Sequence, residues 1–220
     1  MTGARPHLEV EQGLLGRGFT VVIGVDEVGR GALAGPVSVG AVAWWPGAGA
    51  PPEGIRDSKL VPEKSRDALA QSVKGWLSLV AVGHAEPQEI DKHGIVASLG
   101  LAAVRAVSQL VRRFADGTNP IVLLDGSQDW LTKRLPTPLP VVTQVKADRD
   151  CVSVAAASLV AKVERDNLMR SMAATYPAYG FDSHKGYGSS QHMAALREVG
   201  LSPIHRRSFV HPERLLPSSG

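Results

Sequence analysis

Acidic side chains follow three separate apolar runs of this 220-residue sequence. In chain order they are Asp26 with Glu27, then Asp125, then Asp148. Each run is typical of a buried strand, and in α/β sheets ligands bind beyond the carboxyl ends of the strands. If these strands are neighbours, the four carboxylates meet at one edge of a sheet.

Four clustered carboxylates indicate a metal site. Negative charges held close together either become protonated or take up cations, and a ligand set made only of oxygen atoms selects hard ions such as Mg²⁺ or Mn²⁺. Because Mg²⁺ binds few carboxylates and keeps water or phosphate oxygens as its other ligands, the set suits two ions better than one. Such a pair of ions catalyses phosphoryl displacement. Spacing alone leaves a phosphatase, an integrase-like nuclease and a phosphate-binding module open.

The rest of the chain must supply the elements that position these acids. Five strands are predicted, over 19–25, 37–45, 79–83, 120–124 and 141–145. Three helices are predicted, one starting at Pro62 and the others over 95–114 and 152–175. A Gly/Pro-rich link makes the first two strands antiparallel neighbours, and the small residues Ala155 to Ser158 would let the last helix lie close against the sheet.

Composition is that of an ordinary globular protein. Hydrophobic residues make up 44% and charged residues 20% of the chain, which excludes wholesale disorder. The formal charge of +3 is too mild to identify a polyanionic partner. The single cysteine, Cys151, excludes an intrachain disulfide and is expected in the core. With no signal-peptide or membrane-spanning run, we expect a cytoplasmic protein that does not contact membranes.

Several short motifs follow one another along the chain. They are Val25-Asp26-Glu27-Val28-Gly29-Arg30-Gly31, Asp57-Ser58-Lys59-Leu60, Leu124-Asp125-Gly126, Lys146-Ala147-Asp148, Ala161-Lys162-Val163-Glu164-Arg165-Asp166 and His184-Lys185-Gly186-Tyr187-Gly188. In this order they resemble the motifs of the type 2 ribonucleases H, specifically the bacterial ribonuclease HII family. The resemblance extends over about 20–212, and the ordered set is far more specific than any one motif.

The resemblance implies an α/β, ribonuclease H-like fold, with a mixed five-stranded sheet flanked by helices and a small C-terminal helical extension. It implies an endonuclease that hydrolyses the RNA strand of RNA–DNA hybrids and incises duplex DNA 5′ to embedded ribonucleotides, leaving a 5′-phosphate and a 3′-hydroxyl. The metal-binding acids of the family map onto Asp26, Glu27, Asp125 and Asp148, with two Mg²⁺ or Mn²⁺ ions. Because the family often has Lys-Gly-Asp at 146–148, Asp150 is the alternative to Asp148. A monomer is also implied.

The resemblance further assigns contacts to nucleic acid. Gly29, Arg30 and Gly31 are expected at the scissile ribonucleotide, because glycines let the main chain approach its 2′-hydroxyl. From the residues alone this segment is predicted as a tight turn. Tyr187 is expected to stack on the sugar of the following nucleotide, which favours RNA-to-DNA junctions. Four further basic residues are candidate phosphate contacts, namely Lys59, Lys146, His184 and Lys185.

The predicted organisation has three parts: an N-terminal extension over 1–19, a catalytic domain over 20–176, and a basic, helical, substrate-binding extension over 177–220. In the last, Arg206 and Arg207 would extend the track for the duplex. Charged residues of the helix before it, from Lys162 to Asp166, are interpreted as local charge pairs on an exposed face.

Two alternatives to the nuclease are weighed. One is a hybrid-binding module that has lost its chemistry, although all four acids are present. The other is the sister type, ribonuclease HIII, which usually carries an extra N-terminal domain, whereas about 19 residues precede the first strand here.

Overall fold

A mixed five-stranded sheet forms the centre of the protein, which a computed structural model describes over residues 5–210. The strands are β1 (Val21–Val28), β2 (Val37–Trp44), β3 (Val80–Ala85), β4 (Pro120–Asp125) and β5 (Val141–Gln144). They lie in the order β3-β2-β1-β4-β5. β2 is antiparallel to both β1 and β3, whereas β4 is parallel to β1 and to β5. The predicted mixed sheet, with its first two strands antiparallel, is confirmed.

Helices cover both faces of the sheet. Within residues 5–210 they are α1 (Glu9–Leu15), α2 (Glu63–Trp76), α3 (Pro87–His93), α4 (Ile95–Val111), α5 (Ala147–Asp150), α6 (Val152–Thr175), α7 (Phe181–His184) and α8 (Ser190–Val199). The core on one face centres on α4, and the core on the other centres on α6, with α1 and α2 beside it. The helices that were not predicted are short. They were missed because one or two helical turns carry too little periodicity to be distinguished from a loop.

Side chains of β1 alternate between these two layers. Ile23 and Val25 belong to the core beneath α4, whereas Val22 belongs to the core beneath α6. At Gly24 a Cβ would lie 2.3 Å from the carbonyl carbon of Ser153, so α6 approaches the sheet as closely as its small residues predict. Because strand side chains alternate, Asp26 continues the row that faces α6, and Glu27 lies on the other face.

Several predicted boundaries shift. β1 continues through Asp26 and Glu27 to Val28, because β2 stays paired with it as far as the Val28–Ser38 pair. The acids therefore lie within the last residues of the strand rather than after it. Pro62 precedes α2 instead of starting it, and α4 ends at Val111 rather than at 114.

The N-terminal segment contributes a buried carboxylate. Glu11 of α1 is fully buried, and its Oε1 accepts hydrogen bonds from the backbone N–H and the hydroxyl of Ser153, both at 2.8 Å. Its Oε2 is also buried and has no hydrogen-bond partner within residues 5–210. Burial raises the pKa of Glu11, and the bonds from Ser153 partly oppose this. Glu11 therefore caps the first turn of α6 from a distant part of the chain.

Glu11→Ala should lower the free energy of unfolding by about 2–3 kcal/mol, because it removes charge-assisted hydrogen bonds and leaves the N–H of Ser153 buried without a partner. Glu11→Gln keeps an acceptor oxygen and the side-chain shape, so it should cost less. Denaturant unfolding at pH 7 measures both changes. An unaltered unfolding midpoint for the Ala variant would contradict the capping role.

The C-terminal segment packs on the outer half of α6. Tyr179, Phe181, Leu196 and Met169 form a third, smaller hydrophobic cluster there. The predicted helical character is confirmed by α7 and α8, while 211–220, with Arg214, lie outside the described residues.

Cys151 is buried in the core as predicted, and burial raises its pKa to about 12. Within residues 5–210 no helix is long and apolar enough to cross a membrane.

Candidate active site

Two parallel strands and a short helix bring three aspartates to one edge of the sheet. Parallel pairing places Val25 opposite Leu124, so Asp26 and Asp125 come next on neighbouring strands. The Oδ1 of Asp125 accepts a hydrogen bond from the backbone N–H of Asp148 at 3.3 Å. This bond ties the start of α5 to the end of β4.

Asp148 reaches the edge through a local reversal of the backbone. Lys146 adopts a left-handed conformation with φ 62°, which ends the extended chain after β5 and starts α5. Asp148 thus lies in the first turn of a helix and is 7% exposed. Asp150 lies at the other end of this helix, where its carbonyl oxygen accepts the N–H of His7. The placement supports Asp148 as the fourth acid.

Asp26 is the most deeply placed of the four acids. It is 5% exposed, and its Oδ1 accepts the backbone N–H of Glu27 at 2.7 Å. Burial, and then the charges of Glu27, Asp125 and Asp148, raise the pKa of Asp26 well above its ordinary value. Burial also raises the pKa values of Asp125 and Asp148. We refer to these four residues as the acidic site.

The acidic site fits hard divalent cations by its chemistry. All of its ligand candidates are carboxylates, and their mutual repulsion is what bound cations relieve. Within residues 5–210, no three His, Cys, Asp or Glu side chains lie close enough together to hold one ion.

A lysine inserts its charge among these acids. Nζ of Lys59 lies 3.5 Å from Oδ2 of Asp148 and 3.8 Å from Oδ1 of Asp57. Partial burial acts to lower the pKa of Lys59, but Asp57, Asp148 and Asp26 together raise it. Sequence reasoning missed Asp57 as a neighbour of the site, although it opens the Asp57-Ser58-Lys59-Leu60 motif.

Asp26→Asn should raise the melting temperature of the metal-free protein at pH 7. The pKa of Asp26 is raised in the folded state. Protonation of Asp26 therefore stabilises the folded protein at pH values below the ordinary pKa of an aspartate, and this stabilisation is lost as the pH rises through the folded-state pKa. Asn removes the buried charge, so the gain should appear at pH 7 and shrink in acid. We expect a few degrees, since about 1 kcal/mol corresponds to about 2–4 °C in a domain of this size. Thermal melts in EDTA measure it, and equal melting temperatures at pH 7 would contradict it.

A cleft of about 540 Å³ borders the acidic site and collects most of the predicted nucleic-acid contacts. Its lining includes Glu27, the turn Gly29–Gly31, Lys59 and Tyr187. A second cavity of about 300 Å³ shares Glu27 and Arg30 with the cleft and reaches Asp125. We call Gly29–Gly31 the GRG turn and Lys185–Gly188 the tyrosine loop.

The predicted phosphate contacts fall into two groups. Lys59 and Lys146 are exposed beside the acids. His184 and Lys185 instead bind the protein's own backbone, and they are absent from the lining of the cleft. Nε2 of His184 donates to the carbonyl oxygen of Tyr179 at 2.7 Å, and Nζ of the 6%-exposed Lys185 donates to the carbonyl oxygens of Asp182 and Ser183.

A chain of histidines supports the main chain of the tyrosine loop. Nδ1 of His205 accepts the N–H of Ser202 at 2.9 Å, so its proton lies on Nε2, which donates to Nε2 of His192 at 2.9 Å. His192 therefore carries its proton on Nδ1 and donates to the carbonyl oxygen of Tyr187 at 2.9 Å. Burial lowers the pKa of both rings, that of His205 to about 4, so both are neutral at pH 7.

The interpretation of Lys162 to Asp166 as charge pairs on an exposed face is wrong for two of its members. Arg165 is 0% exposed and Asp166 is 3% exposed. The pair between Nζ of Lys162 and Oδ1 of Asp166 does form, at 2.7 Å. This face of α6 is turned inward because the loop after the GRG turn covers it, and buried carbonyls of that loop require donors.

Arg206 does not extend a surface track for the duplex. It is 0% exposed, and its Nε and Nη1 donate to the carbonyl oxygens of Gly35 and Arg30, both at 3.0 Å. Its Nη2 is buried and has no hydrogen-bond partner in the part of the chain that the structure describes. Arg207 is exposed, as the prediction requires.

Four further polar residues of the cleft were not predicted: Ser58, Arg66, Ser158 and Lys162. The hydroxyls of Ser58 and Ser158 lie 3.0 Å apart and join the loop before α2 to α6. Ser158, Lys162 and Arg165 follow a spacing of four and then three residues, which puts them on one helix face. That spacing is the signal that could have identified the face of α6 that meets the cleft.

Comparisons with known proteins identify the family of this chain. Residues 23–211 match the family model described as ribonuclease HII. The chain is 46% identical to ribonuclease HII from Streptomyces avermitilis over 198 residues, which cover 90% of this chain and 80% of the relative. It is 44% identical to a ribonuclease HII from Thermus thermophilus, with 86% of each chain covered.

Solved structures show the same fold. Ribonuclease H2 from Pyrococcus horikoshii OT3 superposes with a TM-score of 0.64 at 24% identity, covering 86% of this chain and 93% of that one. Bst-RNase HIII in complex with Mn²⁺ superposes with a TM-score of 0.69 at 19% identity, covering 89% of this chain and 69% of that one. The predicted ribonuclease H-like fold is thus confirmed. From the family match over most of the sequence and relatives above 40% identity, we conclude that the chain belongs to the ribonuclease HII family and is a ribonuclease H hydrolase.

Proposed function

We propose that this ribonuclease H cuts the RNA strand of RNA–DNA hybrids and incises duplex DNA on the 5′ side of single embedded ribonucleotides, leaving a 5′-phosphate and a 3′-hydroxyl. The observation that carries the proposal is the adjacency of the acidic site and the cleft, which share Glu27. In the proposal the acidic site supplies the carboxylates needed for hydrolysis, and the cleft supplies the groups that recognise a ribonucleotide. Because Glu27 belongs to both parts, the proposed cut would lie next to the sugar that the cleft recognises.

In this proposal the acidic site holds two Mg²⁺ or Mn²⁺ ions. When bound, such ions lower the pKa of the attacking water and offset the charge on the leaving oxygen. The chain itself orients the ligands: the N–H of Glu27 binds the carboxylate of Asp26, and the N–H of Asp148 binds that of Asp125. Each carboxylate is thereby held at the sheet edge with a second oxygen left for an ion.

Gly31 supports a role of the GRG turn in recognition. It is exposed and has no left-handed φ, and a Cβ added there would meet no atom of the described residues within 4 Å. The fold therefore does not require glycine at this position, although the close approach of a sugar would. Gly29 differs, because its φ is 81° and a Cβ would lie 2.1 Å from Nε of Arg165.

Gly31→Ala should leave the unfolding midpoint unchanged and lower the rate of incision at a single ribonucleotide by about tenfold, because a misplacement of about 1 Å has effects of this size or larger. Gly29→Ala is the matched variant and should destabilise the protein instead. Denaturant unfolding and single-turnover cleavage separate the two effects. Full activity of Gly31→Ala would contradict the role of the turn.

Basic residues at the rim are proposed to hold phosphates. The side chains of Lys59 and Arg30 are 76% and 46% exposed, and Lys146, two residues before Asp148, is exposed as well. Such contacts position a duplex without reading its sequence. The bonds of His184 and Lys185 to protein carbonyls favour support of the tyrosine loop over direct phosphate contact.

The proposed substrate sets expectations for partner, location and assembly. Hybrids and embedded ribonucleotides occur on chromosomal DNA, so we expect action in the cytoplasm during replication and ribonucleotide repair. Since the acids and the cleft come from one chain, we expect a monomer, which light scattering of the complex with substrate measures.

The test is cleavage of a labelled DNA duplex that carries one ribonucleotide, with Mg²⁺, with Mn²⁺ and in EDTA. We expect one cut 5′ to the ribonucleotide, only with metal, and a 3′ end that a DNA polymerase extends. Cleavage restricted to long hybrids would instead match the ribonuclease HIII alternative. Binding of hybrids without any cleavage would match the silent binding module.

A further inference from the structure

Arg165 lies between the two segments proposed to recognise the substrate. It is in the middle of α6 and fully buried. Its Nε donates to the carbonyl oxygen of Pro36 at 2.9 Å, its Nη1 to that of Lys185 at 3.0 Å, and its Nη2 to that of Ala34 at 3.1 Å. One guanidinium thus binds both the loop that follows the GRG turn and the first residue of the tyrosine loop.

The same side chain contacts the recognition groups themselves. A Cβ at Gly29 would lie 2.1 Å from its Nε, so Arg165 packs directly on the start of the GRG turn. On the other side, Cζ of Arg165 lies 5.5 Å from the centre of the Tyr187 ring, within the range of a cation–π contact. His192 supports only the main chain of Tyr187, whereas Arg165 contacts the ring.

Stability alone does not explain why an arginine occupies this buried position. A buried charge held by carbonyl groups is no more stabilising than well-packed apolar side chains of similar volume. A planar guanidinium, however, offers donors in fixed directions, which the single ammonium of lysine does not. The three carbonyls and the ring are therefore held in a defined relation to one another.

We propose that Arg165 is a positioning residue that sets the spacing between the GRG turn and Tyr187, and with it the preference for a ribonucleotide followed by a deoxyribonucleotide. The inference rests on the proposed function. It assigns Arg165 a part in specificity without contact with the substrate, since the side chain is fully buried.

The test compares Arg165→Lys and Arg165→Met with a matched control, Arg105→Met. Arg105 also binds a carbonyl, that of His84, together with the carboxylate of Glu89, but it lies on α4 and not in the cleft. Each variant is made alone and combined with Tyr187→Ala. The measured quantity is the ratio of incision rates on a single-ribonucleotide duplex and on a uniform hybrid. Because both rates come from one preparation, the folded fraction cancels from the ratio.

We expect the ratio to fall by about tenfold in both Arg165 variants and to stay unchanged in Arg105→Met. With Tyr187 already replaced by Ala, the Arg165 substitutions should add little, because both changes remove the same contact. An unchanged ratio, or losses that simply multiply, would overturn the proposal. Failure of the proposed function looks different, since the wild type itself would not incise at a single ribonucleotide.

A measurement on the wild type covers the case in which neither variant folds. With ¹⁵N-labelled arginine and no metal, the Nε resonance of Arg165 should shift when the single-ribonucleotide duplex binds and stay in place with the all-DNA duplex. Identical responses to the two duplexes would overturn the proposal.

Discussion

We expect Asp26→Asn to abolish hybrid cleavage, with a loss of about 10³-fold or more, and to leave hybrid binding nearly unchanged. The Asn oxygen still accepts the N–H of Glu27, so the local backbone is kept, but the negative charge that would hold a cation is lost. Asp125→Asn should behave in the same way, because its oxygen also accepts a backbone N–H. In the proposed function the duplex is bound by the cleft and its basic rim, and both variants retain these residues. Single-turnover cleavage with Mg²⁺, and fluorescence anisotropy of a labelled hybrid in EDTA, measure the two properties.

Asp150→Asn is the matched control for this loss. Asp150 is two residues from Asp148, but its backbone pairs with His7, and it is not among the charges that raise the pKa of Asp26. We expect Asp150→Asn to cleave like the wild type and Asp148→Asn to be inactive. If thermal melts show the expected gain in metal-free stability of Asp26→Asn, unfolding is excluded as the cause of a loss of activity. Normal turnover by Asp26→Asn or Asp125→Asn would contradict the assignment of the acidic site.

We expect Tyr187→Ala to lower the proposed preference for an RNA-to-DNA junction by about 10- to 100-fold, because loss of an aromatic stacking partner costs about 1–3 kcal/mol. Tyr187 is 37% exposed at the cleft, so one face of its ring is available to a sugar while Arg165 contacts the ring from within. Tyr187→Phe keeps the ring and should lose little. Competition between a single-ribonucleotide duplex and a uniform hybrid measures the preference directly.

The Phe variant is the control, since it separates the ring from the hydroxyl. If Phe loses as much preference as Ala, the hydroxyl and not the ring recognises the junction. Equal cutting of both substrates by the wild type and by Tyr187→Ala would contradict a role for Tyr187 in junction preference.

Much of the site was predictable because its signals are local. The acids follow apolar runs, and alternation along β1 decides that Asp26 and Glu27 take opposite faces of the sheet. The position of Asp148 was harder to predict from the sequence. It depends on the left-handed backbone of Lys146, a conformation that lysine rarely adopts. The Asp57–Lys59–Asp148 contacts were missed because they join a loop and a helix that are distant in the chain.

The sequence by itself determined the type of fold, the acids and the two substrate-recognition segments, since periodicity and motifs record local structure. Only the tertiary structure decided what holds these segments in place. The sequence pattern predicts Arg165 and Arg206 as surface charges, but both bind distant main-chain carbonyls. Two partners of Arg165 are 129 and 131 residues away in the sequence, and those of Arg206 are 171 and 176 residues away. Every residue has a backbone carbonyl, so the sequence does not indicate which carbonyls bind a given arginine. Only the folded structure distinguishes a buried guanidinium from an exposed one.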